Sequence, residues 1–220
     1  MDIAIKEYFE FVCPLLMVTC ATLWIVRFTQ AVAFMGKIGK PVVIAFSVFI
    51  TLYPFAGLSL ADYLLSVNPN YSIGSVVVFF IIVWKEFGWK PLFSQKNLLQ
   101  FSIWNVGISL CLFASCLGFV DFDMYALGYG FSFWFVVIAL LTIGLTLFRS
   151  PLSFIFILYI ASFDLKLLYS NNFFDYITDG VLFLISLGVV MFSIIKFWFI
   201  RKKAEKHLRK RMSGFPPPRE

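Results

Sequence analysis

Apolar runs of membrane-spanning length recur along nearly the whole chain, and they constrain its fold more than any other feature. Seven can be drawn: Phe9–Phe34, Val42–Ser66, Tyr71–Trp89, Leu98–Gly118, Phe131–Phe148, Leu152–Tyr169 and Val181–Ile200. A helix that crosses hydrocarbon needs about 20 residues, within a range of roughly 17–25. Six of the runs meet this. The third is shorter, because its uncharged core, Ser72–Trp84, is followed at once by Lys85 and Glu86. Its Val, Phe and Ile string would also suit a strand, but an open strand in lipid leaves its edge groups unpaired. The expectation is therefore an all-α polytopic bundle of about seven transmembrane helices over residues 1–200, followed by a tail over 201–220.

Composition agrees. Only 14% of the residues are charged and 61% are hydrophobic, against about 25% and 45–50% in soluble domains. One small core could not hide that much apolar surface from water. The acidic flank of the first run, with no small-residue cleavage motif after it, predicts a retained helix rather than a secretory signal.

Charge placement sets the expected topology, because cytoplasmic loops are enriched in Lys and Arg. The tail Arg201–Glu220 carries eight basic and two acidic residues, a net of +6, while the rest of the chain nets zero. Placing the tail in the cytoplasm and alternating backwards puts Lys37, Lys40, Lys85, Lys90, Lys96 and Arg149 inside. The N-terminus and the connections carrying Asp121, Asp123, Asp175 and Asp179 fall outside. Only Lys6 and Lys166 of the basic residues then lie on the outer side, with nine of the 12 acidic ones. A plasma membrane, of the bacterial inner-membrane type, suits such short loops. Tyr63, Tyr71, Tyr125, Tyr129, Tyr169 and Tyr176 near one boundary, and Trp84, Trp89 and Trp198 near the other, fit interfacial aromatic belts.

Four features carry candidate chemistry. The first is an outer group of carboxylates, Asp62, Asp121, Asp123, Asp164, Asp175 and Asp179. It reads either as a polar pocket for a cation or a cationic partner, or as what remains when Lys and Arg are confined to the other side. The second is Asp164 with Lys166 in the outer third of the sixth run. Ionisable groups there are disfavoured by up to roughly 2.5–3.5 kcal/mol at the helix centre and less toward the ends. At i and i+2 they do not share a helix face, so each is expected to find a partner elsewhere. The third is the fourth run, with a small-residue stripe (Gly107, Cys111, Ala114, Gly118) beside a polar one (Ser102, Asn105, Ser109). Such stripes allow close helix approach and interhelical hydrogen bonds, within the chain, to a partner membrane protein or to a second copy of the chain in a homo-oligomer. The fourth is the tail, where Arg201, Lys202, Lys203, Lys206, Arg209, Lys210 and Arg211 are expected to continue the last helix and bind anionic lipid headgroups. No nucleic-acid partner is expected.

Pro54 and Gly57 interrupt the second run and predict a kink. Arg27, on the inner side of the first run, is expected to snorkel or to pair with Glu86. The four cysteines, in none of the zinc or redox spacings, read as small buried hydrophobes. The single His, His207, lies in the tail, and neither a metal site nor a cofactor is expected. No nucleophile elbow, Walker A or zincin motif occurs. Three functions remain open: a non-catalytic accessory or scaffold subunit of a membrane complex, a small permease using Asp62, Asp164 and Lys166, or a membrane-embedded enzyme acting on a lipid-linked substrate at the outer face.

Overall fold

The computed structural model describes residues 3–29, 39–129 and 133–212, with side chains described for 6–29, 39–129, 133–203 and 205. The chain is mostly helical. In order it forms α1 (Ile3–Glu10), α2 (Val12–Phe28), α3 (Gly39–Leu52), the strands β1 (Pro54–Phe55) and β2 (Leu58–Ser59), and α4 (Leu60–Val67). These are followed by α5 (Ile73–Glu86), α6 (Gln95–Cys116), a 3-10 turn (Tyr125–Gly128), α7 (Phe133–Leu147), α8 (Leu152–Asp164), α9 (Phe173–Ile177) and α10 (Gly180–Met212).

Three helical segments are long and apolar enough to cross a membrane: Lys6–Phe28, Gln95–Cys116 and Gly180–Lys203. The helices α3, α7 and α8 are apolar but shorter. At 1.5 Å per residue, their 13–15 residues reach only about 20–22 Å.

Helix termini meet at two ends of the bundle. At one, Arg27 on α2 donates to Glu86 on α5 at 3.0 Å, and the Trp84 indole donates to the Lys90 carbonyl at 2.9 Å. The Arg27–Glu86 pair is one of the two arrangements expected for Arg27. At the other end, the Asp179 carboxylate at the start of α10 accepts from the Ser72 amide at the start of α5, and Ser115, late in α6, accepts from the Met124 amide. The α7–α8 corner, Arg149–Pro151, lines a cavity of about 620 Å³ together with Lys96 and Asn97 from the start of α6. Helices α5, α6, α7 and α8 thus alternate in direction between a basic end and an acidic end, and α10 starts at the acidic end.

The third run, the shortest in the sequence, forms the centre of the fold. Ile73, Gly74, Ser75, Val77, Phe79 and Ile81 of α5 are all buried, and α5 packs against α2, α8, α9 and α10. Protein covers the face that carries these residues, while Phe80, Ile82 and Lys85 on its other side are exposed. The most extensive helix pair is α6 with α10, followed by α2 with α5 and α2 with α3.

The second run is not one helix. Helix α3 ends at Leu52, and Pro54–Ser59 turns back as a two-stranded antiparallel hairpin in which Pro54 pairs with Ser59 and Phe55 with Leu58. Its two-residue loop, Ala56–Gly57, has φ of 55° and 93°, as a type I′ turn requires. Ser59 then starts α4 through a capping box with Asp62. Pro54 cannot continue the helix and Gly57 tolerates positive φ, so the expected kink is a complete break.

Candidate functional site

The most polar part of the interior lies at the acidic end, where residues 165–179 join α8 to α10. Helix α8 closes with a Schellman motif. The Lys166 amide bonds the Phe163 carbonyl at 3.0 Å, and the Leu167 amide bonds the Ser162 carbonyl at 3.0 Å. Lys166 occupies the left-handed position, φ 48°, where glycine is usual. The chain then dives inward. Asn172 caps the five-residue helix α9, whose Phe173, Phe174, Tyr176 and Ile177 are 0–2% exposed. Edge-on aromatic contacts hold it: Phe163 to Phe173 at 5.0 Å, Phe163 to Tyr176 at 5.2 Å and Trp134 to Phe174 at 6.3 Å between ring centroids. The segment read from sequence as an outer loop is therefore a buried plug. Irregular backbone can sit at such depth only when protein covers it.

Two aspartates fix the plug. Asp175 accepts from the Tyr125 hydroxyl at 2.8–2.9 Å and from the Ser170 hydroxyl. Burial and the neighbouring Asp175 carboxylate both raise the Tyr125 phenol well above its usual range. Burial likewise raises the Tyr176 phenol, which donates to the carbonyls of Leu168 and Ser170. Asp179 accepts four bonds: from the Ser72 amide at 2.7 Å and the Ser75 hydroxyl at 2.6 Å on one oxygen, and from the Val181 and Leu182 amides at 2.7 and 2.9 Å on the other. It caps α10 while gripping the first turn of α5.

A third link reaches α6. Asn105, fully buried, donates through Nδ2 to Thr178 Oγ1 at 3.0 Å, and Ser109 shares a 2.8 Å bond with the same hydroxyl. Asn105 Oδ1 and the fully buried Tyr159 hydroxyl have no hydrogen-bond partner among the described residues. Close packing leaves no room for larger neighbours. A Cβ on Gly74 would lie 2.8 Å from the Tyr159 hydroxyl and 2.9 Å from the Ile177 carbonyl, and one on Gly128 would overlap the Asn172 amide.

The other predicted residues scatter. Asp62 is committed to the Ser59 capping box. Asp121 and Asp123 are exposed, and among the described residues Asp123 accepts only from the Ala126 amide. Asp164 and Lys166 are exposed beside the plug, and their side chains make neither a hydrogen bond nor an ion pair among the described residues. The carboxylates do not converge, and among the described residues no group of three His, Cys, Asp or Glu is placed to hold a metal ion.

The two stripes on α6 face opposite ways. Ser102, Asn105 and Ser109 point inward, whereas Gly107 and Cys111 are exposed, and a Cβ at Gly107 would meet nothing within 4 Å. Gly118 lies past the end of α6, as the φ 74° residue of another Schellman motif. Of the cysteines, Cys13 is buried and Cys20 is half-buried, but Cys111 and Cys116 are exposed. Tyr71 and Tyr176 are buried rather than interfacial.

In the tail, α10 stays helical through Met212. Lys202 stacks over the Trp198 ring at 3.7 Å, and Arg201 pairs with Glu205 at 3.2 Å. Lys203 is exposed. The side chains of Lys206, Arg209, Lys210 and Arg211 lie outside the described residues, as do Phe34, Lys37, Gly130, Phe131 and the end from residue 213.

Sequence reasoning missed Ser72, Ser75, Tyr159 and Thr178. A single chain of letters marks them only as polar residues within apolar surroundings. The Ser59-x-x-Asp62 spacing was a readable capping signature.

The fold thus defines a helical protein with three helices long and apolar enough to cross a membrane. The chain matches no protein-family model, no curated protein and no solved structure.

Proposed function

We propose that the protein is a non-catalytic accessory or scaffold subunit of a membrane complex. In this reading it crosses the bilayer seven times, with its acidic end outside and its C-terminal tail on the cytoplasmic side of a bacterial-type inner membrane. The observation that carries the functional part is the outward face of α6. Gly107 and Cys111 are exposed between bulky Ile103, Leu110 and Phe113, with open space over Gly107. Lipid gains nothing from a small-residue notch, whereas a helix of another protein packs closely into one.

The aspartates argue in the same direction. Asp175 and Asp179 spend their lone pairs on the chain's own donors, which leaves little for a transported ion or a reacting group. The alternation of α5, α6, α7 and α8 between the two ends, with α10 starting at the acidic one, supports the seven-pass arrangement. The buried plug supplies thickness that the short helices α5 and α8 lack. The exposed hairpin Pro54–Leu58 has unpaired edges, which hydrocarbon does not tolerate. It therefore belongs at headgroup level or under the partner. The tail, a helical extension of about 14 Å beyond Lys203, holds its basic residues against anionic headgroups.

The test places a photo-crosslinking residue at Ile103 in native membranes. A protein adduct of discrete mass, abolished by Gly107→Leu but unaffected by Leu147→Ala on α7, is expected. Gly107→Leu should fold normally because nothing occupies the space it fills. Adducts to lipid alone would refute the docking role.

A further inference from the structure

A groove of about 740 Å³ runs along one side of α8, walled by Ile157, Ile160, Ala161 and Phe163 with Phe135 from α7, and Asp164 and Lys166 line it at the acidic end. Ile157, Ile160, Ala161 and Asp164 recur at i, i+3, i+4 and i+7, so they form one helix face. The apolar strip from Ile157 to Asp164 is about 10 Å long. Its lining is apolar along this strip and ionic at one end, which is the profile of a phospholipid entering from the headgroup side.

The ionic end specifies which phospholipid. Three other polar residues line it: Ser170 donates to Asp175, Tyr176 donates to backbone carbonyls, and Asn171 brings a neutral amide that favours neither sign of charge. Asp164 and Lys166 are one anion and one cation, two residues apart, and they make no ion pair with each other or with any described residue. The Schellman turn separates them, because Asp164 is the last helical residue and Lys166 sits in the left-handed position beyond it. A headgroup with a single negative charge would satisfy Lys166 and be repelled by Asp164. A headgroup carrying both a phosphate and an ammonium satisfies both.

We infer that this groove binds one zwitterionic phospholipid, its phosphate at Lys166, its ammonium at Asp164 and the upper part of an acyl chain along Ile157–Ala161. The site is separate from the α6 face and does not depend on what docks there.

The experiment uses the full chain in nanodiscs made from equal amounts of phosphatidylethanolamine and phosphatidylglycerol. Native mass spectrometry then reads which lipid remains bound after mild activation. A charged side chain near a headgroup contributes about 1 kcal/mol, which corresponds to roughly fivefold in retention. Wild type should keep one phosphatidylethanolamine with a preference of about fivefold over phosphatidylglycerol. Asp164→Asn should erase that preference. Lys166→Gly should reduce retention of both lipids about fivefold, and because glycine favours the left-handed cap, a loss there cannot be ascribed to misfolding. Ile157→Trp should block both lipids by filling the groove. Equal retention of the two lipids by wild type, a preference for phosphatidylglycerol, or retention indifferent to all three substitutions would overturn the assignment. A failed α6 cross-link with intact lipid preference would refute only the docking role.

Discussion

Removing the Asp179 carboxylate should be the most damaging single change at the acidic end. Asp179→Ala withdraws an N-cap from α10, worth about 1 kcal/mol. It also leaves the Ser72 amide, on a fully buried residue, without its acceptor, at about 1–3 kcal/mol. Loss of the charge-assisted bond from Ser75 adds about 1 kcal/mol or more. These terms are not independent, so the total is expected near 3–4 kcal/mol. For a chain of this size, at about 2–4 °C per kcal/mol, the melting temperature should fall by about 10 °C. Asp179→Asn keeps one acceptor for the α10 amides but turns an N–H toward Ser72, so it should lose about half as much. The measurement is thermal unfolding in nanodiscs at one fixed scan rate, since such unfolding is often irreversible. Ser75→Ala provides the internal check. It should destabilise the wild type but do little in the Asp179→Ala background, because its partner is already gone. A melting point for Asp179→Ala within about 2 °C of wild type, or full additivity with Ser75→Ala, would refute the four-bond description of this carboxylate.

Three further outcomes are expected. Gly74→Ala should destabilise by about 1–3 kcal/mol through overpacking against Tyr159 and Ile177, whereas Gly107→Ala should leave the melting temperature unchanged or slightly raised; thermal unfolding of both variants checks the contrast. Tyr125→Phe should cost about 1–2 kcal/mol at neutral pH through loss of its bond to the Asp175 carboxylate. The folded state raises this phenol, so its contribution is full below the unfolded value of about 10 and declines as pH rises above that toward the folded value; the melting-temperature gap between wild type and Tyr125→Phe should therefore be flat from pH 7 to 9 and narrow above about pH 10. Arg27→Ala should change stability by no more than about 1 kcal/mol, because the Arg27 side chain is 73% exposed and exposed pairs contribute little; a double-mutant cycle with Glu86→Ala measures it.

How far the fold could be read in advance varied with what each residue type reports. Hydropathy located the helical stretches, and charge located Arg27 opposite Glu86. Hydropathy also passed straight through Tyr53–Ser59, because Phe55, Ala56 and Leu58 are apolar whether they lie in a helix or a hairpin; only Pro54, Gly57 and the Ser59–Asp62 spacing marked the break. In the plug, Asp175 and Asp179 point to a solvent-facing loop, yet Phe173, Phe174 and Ile177 make a surface too apolar to leave in water. On α6 both stripes were visible, but their direction was not. Lipid is as apolar as a protein core, so the usual rule of apolar inward and polar outward does not choose a face. Asp62, Asp164 and Asp175 share an end of the bundle without sharing a site, a distinction that needs three dimensions.

The position of Asp179 has an electrical consequence. Aligned peptide dipoles leave roughly half a positive charge at the first turn of a helix, and α5 and α10 begin side by side at this one carboxylate. Two such half-charges balance its single negative charge. Seen from the surrounding solution, this junction is close to neutral, so the field outside the acidic end is weaker than its number of aspartates implies.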